Sequence, residues 1–531
     1  MIICQTLWTN KRNLLEDSFG WSTSQHHLMS WALSCLRLKK NYTDVHLYGD
    51  EPGIDFLIDQ LHLPYSKVFD EYSHLNCQKE LWALPKLLTY SKQRQPFLHV
   101  DGDVIIDAPF EQSLFSSDVV AQNLEIGTAY YENLFNPLVK GLKYIPDILE
   151  KNLASNSLKA YNAGIIGGND IAFFKKYVDE ALKIVTNNNG CLLNGNFNII
   201  FEQVLLYSMA FSEEREVVCV FKDIFKDSGY ELKKIADFTE IHQIKYLHMI
   251  GPHKRNKEVC DWLERYLYKE NKEIFLRIVA LFKKRHYFYN SKIAEPHSIG
   301  LPVPKNHFRY DRTEKFIKSL NPTFSYRSNA HLKKFVGLSK NVLLKELLKY
   351  EQKINRLFTK FNRIGYDQLN QLELRSLNSI AFFSLAKEAK FNVLLQVHPF
   401  IEIIYSSFDW TTWQFGRDGI TSLHASAGND ITIGIIPGLF LNGYRDVVLD
   451  QICINMIILA NQEVVSRDLM NKTLEYFPDK EDPQERQAFC ELFLEKVAFL
   501  VTNKVLLVNL PPTYVGPRTS TPVCSKAKRR S

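Results

Sequence analysis

The run Phe97-Leu98-His99-Val100 ends in Asp101-Gly102-Asp103 and is followed by Val104-Ile105-Ile106. An apolar strand therefore delivers two carboxylates one residue apart. In extended backbone, side chains at i and i+2 point to the same face, so Asp101 and Asp103 can approach one hard divalent cation. Gly102 between them admits close passage of backbone or ligand. Such a cation is commonly shared with substrate phosphates.

The elements that must position this pair are those of a globular chain. Its 531 residues exceed one hydrophobic core and imply two main units. A 45% hydrophobic share rich in Phe and Tyr excludes disorder for most of the length. The formal charge of +6 is small for this size and does not support nucleic-acid binding. Nine dispersed cysteines, none in a CxxC arrangement, read as reduced thiols of a cytoplasmic protein. No basic-then-apolar leader opens the chain, and no window reaches the ~18 uncharged apolar residues that span a bilayer. Peripheral association with a membrane stays open.

The first half alternates short apolar runs with amphipathic segments, the signature of a mostly parallel α/β sheet. Strands are expected at 2–7, 45–48 and 67–68, and helices at 28–38 and 54–61. A helix over 81–90, with Pro85 in its first turn, leads into the acidic strand. A further strand with glycines at both ends covers 161–170. A polar, Asn-rich loop at 187–198 precedes a helix carrying Glu202-Gln203. The cluster Pro296, Gly300, Pro302 and Pro304 marks 291–305 as a linker. Beyond it, Leu344, Leu347, Leu348, Glu351, Ile354, Leu357 and Phe358 follow helical spacing, as do Phe489, Leu492, Phe493, Val497 and Leu500. The expectation for 306–510 is a mainly helical accessory domain with one short final strand at 505–510, and for 511–531 a disordered basic tail. Trp410, Trp413, Phe415, Arg417 and Asp418 form an aromatic and charged patch, readable as an acceptor surface or as core.

Three separated segments resemble, in order and form, the motifs of the glycogenin-like and galactosyltransferase-like retaining enzymes of the GT-A glycosyltransferase fold. The first is Asp101-Gly102-Asp103-Val104-Ile105, similar to that family's DxD metal motif. The second is Tyr161-Asn162-Ala163-Gly164-Ile165-Ile166. The third, His248-Met249-Ile250-Gly251-Pro252-His253-Lys254, is similar to H-x-x-G-x-x-K. The resemblance covers residues 1–290 and implies a GT-A-type nucleotide-diphospho-sugar transferase domain there. It implies that Asp101, Asp103 and His248 hold Mn²⁺ or Mg²⁺. An imidazole in such a set leans toward manganese. Lys254 and the Gly251 backbone would contact the diphosphate, and Lys86 would reach the nucleotide or donor sugar. Asn162 and Gly164 would line the sugar pocket. Gln203 would stand near the anomeric carbon, beside Glu202 where relatives carry Asp. Trp8 and Thr9, in the loop after the first strand, are candidates for the base and ribose.

The expected activity is metal-dependent transfer of a hexose from a nucleotide sugar, a UDP-sugar by family analogy, with retention. The acceptor could be a glycan, a lipid-linked sugar or a peptide. The alternative is a catalytically inactive GT-A-like scaffold whose C-terminal domain binds a peptide or protein partner.

Overall fold

The computed structural model describes residues 1–282 and 310–510, apart from 156, 189–196, 228, 326–327, 362–365, 413, 417–418, 423–430, 438–443 and 478–481. The expected linker at 291–305, the tail at 511–531 and most of the Asn-rich loop lie outside the described residues. The chain divides into two compact units, with the boundary between Tyr287 and Phe288.

In the first unit, the strands are β1 (Ile2–Leu7), β2 (Val45–Gly49), β3 (Lys67–Asp70), β4 (Phe97–Val100), β5 (Val104–Ile106), β6 (Val119–Ala121), β7 (Leu124–Ile126), β8 (Lys159–Tyr161), β9 (Ile165–Gly168), β10 (Val217–Cys219) and β11 (Tyr246–His248). Seven of them form one sheet in the order β10-β6-β9-β4-β1-β2-β3. Every residue of β2, β4, β6 and β9 is buried, as expected of strands covered on both faces. The sheet is mixed rather than mostly parallel. β1, β2, β3 and β4 pair in parallel, as do β6 and β10. β9 lies antiparallel between β4 and β6. The span 161–170 is thus two strands, not one, broken because the Asn162 side chain accepts the Gly164 N–H at 2.9 Å.

Helix Ser24–Asn41 runs longer than the apolar spacing alone indicates. Its polar first turn is buried, with Thr23 capping the His26 N–H, and His26 meets Glu264 of helix Lys257–Glu270 at 2.8 Å. Helix Leu84–Lys92 starts just before Pro85, whose missing N–H costs nothing in a first turn. Asn198 ties down its approach, accepting the Ala83 N–H at 2.9 Å and donating to the Glu80 carbonyl at 2.6 Å.

The second unit is mainly helical, with helices Val342–Phe361 and Pro483–Thr502 on the segments of helical spacing. It also contains short antiparallel sheets, more strand than the single one expected. β12 (Leu394–Val397) pairs with β18 (Val464–Val465) and β19 (Leu506–Asn509), while β13 (Glu402–Ser406), β16 (Ile431–Pro437) and β17 (Tyr444–Leu449) form a second three-stranded antiparallel sheet. The short pair β14 (Gln414–Gly416) and β15 (Gly419–Ser422) completes the set. These runs are only two to seven residues long, too short to be told from helix by periodicity. Trp410 is core: it is buried, and its indole N–H donates to Ser406 Oγ at 2.9 Å. Trp413, Arg417 and Asp418 lie outside the described residues. No helix among the described residues is long and apolar enough to cross a membrane.

Two buried histidines make the fold acid-sensitive. Burial first, then Lys504 and Arg375, lowers His398 from 6.5 to about 3, and its Nδ1 accepts the Phe400 N–H. Burial first, then Lys254 and Arg12, does the same to His27. Both are depressed bases, so their contribution is complete above pH ~6.5 and declines toward pH ~3. Denaturant unfolding across that window should lose up to about 1.4 kcal/mol per pH unit per histidine, and His398→Asn should flatten the slope.

Candidate functional site

The acidic pair stands in a tight turn between β4 and β5, not in continuous extended strand. The Asp101 N–H donates to the Gly164 carbonyl at 3.0 Å, and the Val104 N–H returns to the Asp101 carbonyl at 3.1 Å. The turn passes directly beneath Trp31, so a Cβ at position 102 would lie 2.3 Å from the indole Cε2. Ser30 Oγ donates to the Gly102 carbonyl at 2.9 Å from the same helix.

β5 pairs antiparallel with β11, placing His248 opposite Val104. The Met249 N–H donates to the Asp103 carbonyl at 3.1 Å, and His248 Nε2 comes within 3.4 Å of Asp103 Oδ1. Asp101, Asp103 and His248 then offer one donor atom each, all within 4.8 Å of one another. Ligand bonds of about 2.1 Å put donors roughly 3–4 Å apart around one ion, so shifts of about an ångström would close the set. Gly164 leaves the room this needs. A Cβ there would sit 2.3 Å from Gln122 Oε1 and 2.5 Å from His248 Nδ1. Two carboxylates, one imidazole and a cradle that a Cβ would fill make a donor set that fits a metal cation.

Two lysines flank the carboxylates. Lys254 Nζ lies 2.6 Å from Asp103 Oδ2. Lys86 Nζ lies 2.9 Å from Asp101 Oδ1 and 2.8 Å from Glu202 Oε1. Burial pushes Asp103 up, but Lys254 and His248 outweigh it and hold the carboxyl well below its ordinary range. For Asp101, burial dominates over Lys86 and the pKa rises. Burial likewise raises Glu202 despite Lys86. Burial would lower Lys86, yet Asp101 and Glu202 together raise it, so its ammonium is secure.

Around this centre the surface forms two adjoining hollows of about 460 and 510 Å³. They share Trp82, Lys86, Asp101, Asp103 and Lys254. The first is aromatic and basic, lined by Trp8, Arg12, Phe19, His27 and Trp31 among others. The second contains Asn162, Gly164, Glu202, Gln203, His248 and Gly251. Glu202 and Gln203 ride on a π-helical turn, Ile200–Val204. The Tyr131 hydroxyl donates to Glu125 and lies 3.2 Å from Gln203 Oε1. The Tyr230 hydroxyl also donates to Glu125, and Asn162 Nδ2 reaches it at 3.2 Å.

Every site residue expected from the sequence lines this cleft except Thr9. That threonine is buried, its N–H and hydroxyl both committed to Asp50 Oδ2 at 2.9 and 2.6 Å. Residues that carry no sequence motif also build the site: Gln122, Glu125, Tyr131, Tyr230, Trp31 and Arg12. The one available signal was polar Gln122-Asn123 directly after the apolar run that becomes β6.

The fold and the site define an α/β protein with a mixed seven-stranded sheet and a carboxylate–imidazole group in a cleft at its strand ends. The chain belongs to DUF6734, a family of unknown function, whose profile matches residues 1–281 and so takes in the whole site. No curated protein matches the chain.

Lys86 offers a direct test of the buried charges. Lys86→Met leaves Glu202 without its cation and should cost about 3 kcal/mol in urea unfolding. Adding Glu202→Gln should restore much of that loss.

Proposed function

We propose that the chain is a metal-dependent glycosyltransferase of the GT-A type, moving a hexose from a nucleotide sugar to an acceptor with retention. The observation that carries this reading is the convergence of Asp101, Asp103, His248, Lys254 and Lys86, from well-separated segments, on one cleft. Asp101, Asp103 and His248 would hold the cation, whose charge offsets that of a departing nucleoside diphosphate.

Lys254 stands beside Asp103, where its ammonium would meet the diphosphate oxygens and stabilise charge developing on them. Gly251 adopts φ +53 and opens into free space, leaving its backbone accessible to the same group. The first hollow offers flat aromatic faces and Arg12 to a nucleoside; a uridine donor is carried by family analogy. In this reading Asn162, Glu202 and Gln203, which line the second hollow, would surround the sugar, and the remaining space would take the acceptor hydroxyl on the same face as the leaving group. Front-face attack within an ion-pair-like transition state needs no separate acid on the leaving group. A glycan, a lipid-linked sugar or a peptide remain the acceptor classes. The intact carboxylates, imidazole and lysines favour an active enzyme over an inactive scaffold.

Hydrolysis of a panel of nucleotide sugars, assayed with and without Mn²⁺, tests the proposal. Turnover of at least one donor should require metal, and Asp103→Ala should lower it at least about 100-fold. Calorimetry that detects no nucleotide binding, with or without Mn²⁺, would overturn the reading.

A further inference from the structure

We propose that Gln122 is a positioning residue for His248: its side-chain carbonyl fixes the imidazole proton on Nδ1 and turns Nε2 toward the acidic pair. The inference rests on the metal-site reading above for its purpose, but not for its geometry.

Gln122 is fully buried at the end of β6. Its backbone is held on both sides, the N–H donating to the Asn162 carbonyl at 3.0 Å and the carbonyl accepting from the Phe221 N–H at 2.9 Å. Its side-chain amide is equally committed. Nε2 donates to Asn123 Oδ1 at 2.9 Å, so Oε1 is the atom that faces β11. Two groups converge there, the Tyr246 hydroxyl at 2.6 Å and His248 Nδ1 at 2.7 Å. An amide oxygen only accepts. The imidazole must therefore present N–H at Nδ1, which leaves Nε2, on the far side of the ring, as the atom 3.4 Å from Asp103. The second partner matters too. With Tyr246 also donating to Oε1 and Nε2 engaged by Asn123, turning the amide over would disturb three contacts at once.

The chain makes room for this contact at one further position. A side chain at residue 164 would intrude on both Gln122 Oε1 and His248 Nδ1, so the glycine of the Asn-Ala-Gly segment and the buried glutamine serve one arrangement. An acceptor on the outer nitrogen of a ligating histidine sets ring orientation and raises donor strength, and its loss typically lowers metal affinity about 10–100-fold.

Long-range ¹H–¹⁵N correlation spectra of the metal-free, full-length protein at mildly alkaline pH read the tautomer, with His248→Gln assigning its signal among the fifteen histidines. The expected result is a protonated Nδ1 in the wild type and in Gln122→Glu, which keeps the acceptor, and a shift of the proton to Nε2 in Gln122→Met. Titration with Mn²⁺ alone should show affinity about 10–100-fold weaker in Gln122→Met and close to wild type in Gln122→Glu. A bare Nδ1 in the wild type overturns the assignment, as does a folded Gln122→Met chain with wild-type Mn²⁺ affinity. Should Gln122→Met fail to fold, the wild-type spectrum decides. A wild-type chain with protonated Nδ1 that binds no Mn²⁺ supports the Gln122 assignment and overturns the metal reading instead.

Discussion

The site depends on one short antiparallel pairing, β5 against β11. Asp103 and His248 are remote in sequence, and their side chains meet at 3.4 Å. What brings them together is backbone: His248 lies opposite Val104, and the Met249 N–H closes on the Asp103 carbonyl. A slip of one residue in this register would turn His248 to the other face. The register is in turn held by burial, since Val104, Ile105, Ile106, Tyr246 and Leu247 are all buried. Hydrophobic packing behind the turn therefore sets the geometry in front of it.

Charge follows from that geometry. Asp101, Asp103 and Glu202 bring three carboxyl groups into a partly dehydrated space, and Lys86 and Lys254 bring two ammonium groups. Burying that many carboxylates without cations would cost several kcal/mol each. The two lysines divide the task unequally. Lys254, with His248, keeps Asp103 ionised, whereas Lys86 is shared by Asp101 and Glu202, and burial prevails over it at both. The pair that looks symmetric as Asp-Gly-Asp thus consists of two electrostatically different groups.

The sequence exposed the parts of this arrangement that are local. The apolar run before Asp101, the helix around Lys86 and the apolar spacing in 344–358 were legible because each element's pattern repeats within a few residues. Mixed sheet direction was not, because β9 reads the same in either sense; its reversal follows from where Asn162 and Gly164 break the chain. The short strands of the second unit were hidden for a related reason, being runs of two to seven residues without a full period. At the site, Asp101, Asp103, His248, Lys254 and Gln203 were found through motif form. Gln122 and Glu125 were not, since a single buried polar residue becomes meaningful only when its partners from other segments are known. Thr9 illustrates the converse: a loop position suited to ligand contact has its hydrogen bonds taken by Asp50.

The turn bearing Glu202 and Gln203 shows how irregular backbone is made dependable. A π-helical turn interrupts the regular ladder and is frequent at functional sites. Here the Tyr177 hydroxyl donates to the Glu202 carbonyl at 2.6 Å, and Ile200, Phe201 and Val204 are buried on either side. The side chains then diverge. Glu202 meets Lys86 with its carboxylate enclosed, while Gln203 meets Tyr131 at the cleft wall. Because Lys86 also touches Asp101, the irregular turn is linked to the acidic pair through a single ammonium group. The position of Gln203 is accordingly tied to the acidic pair by packing and charge together.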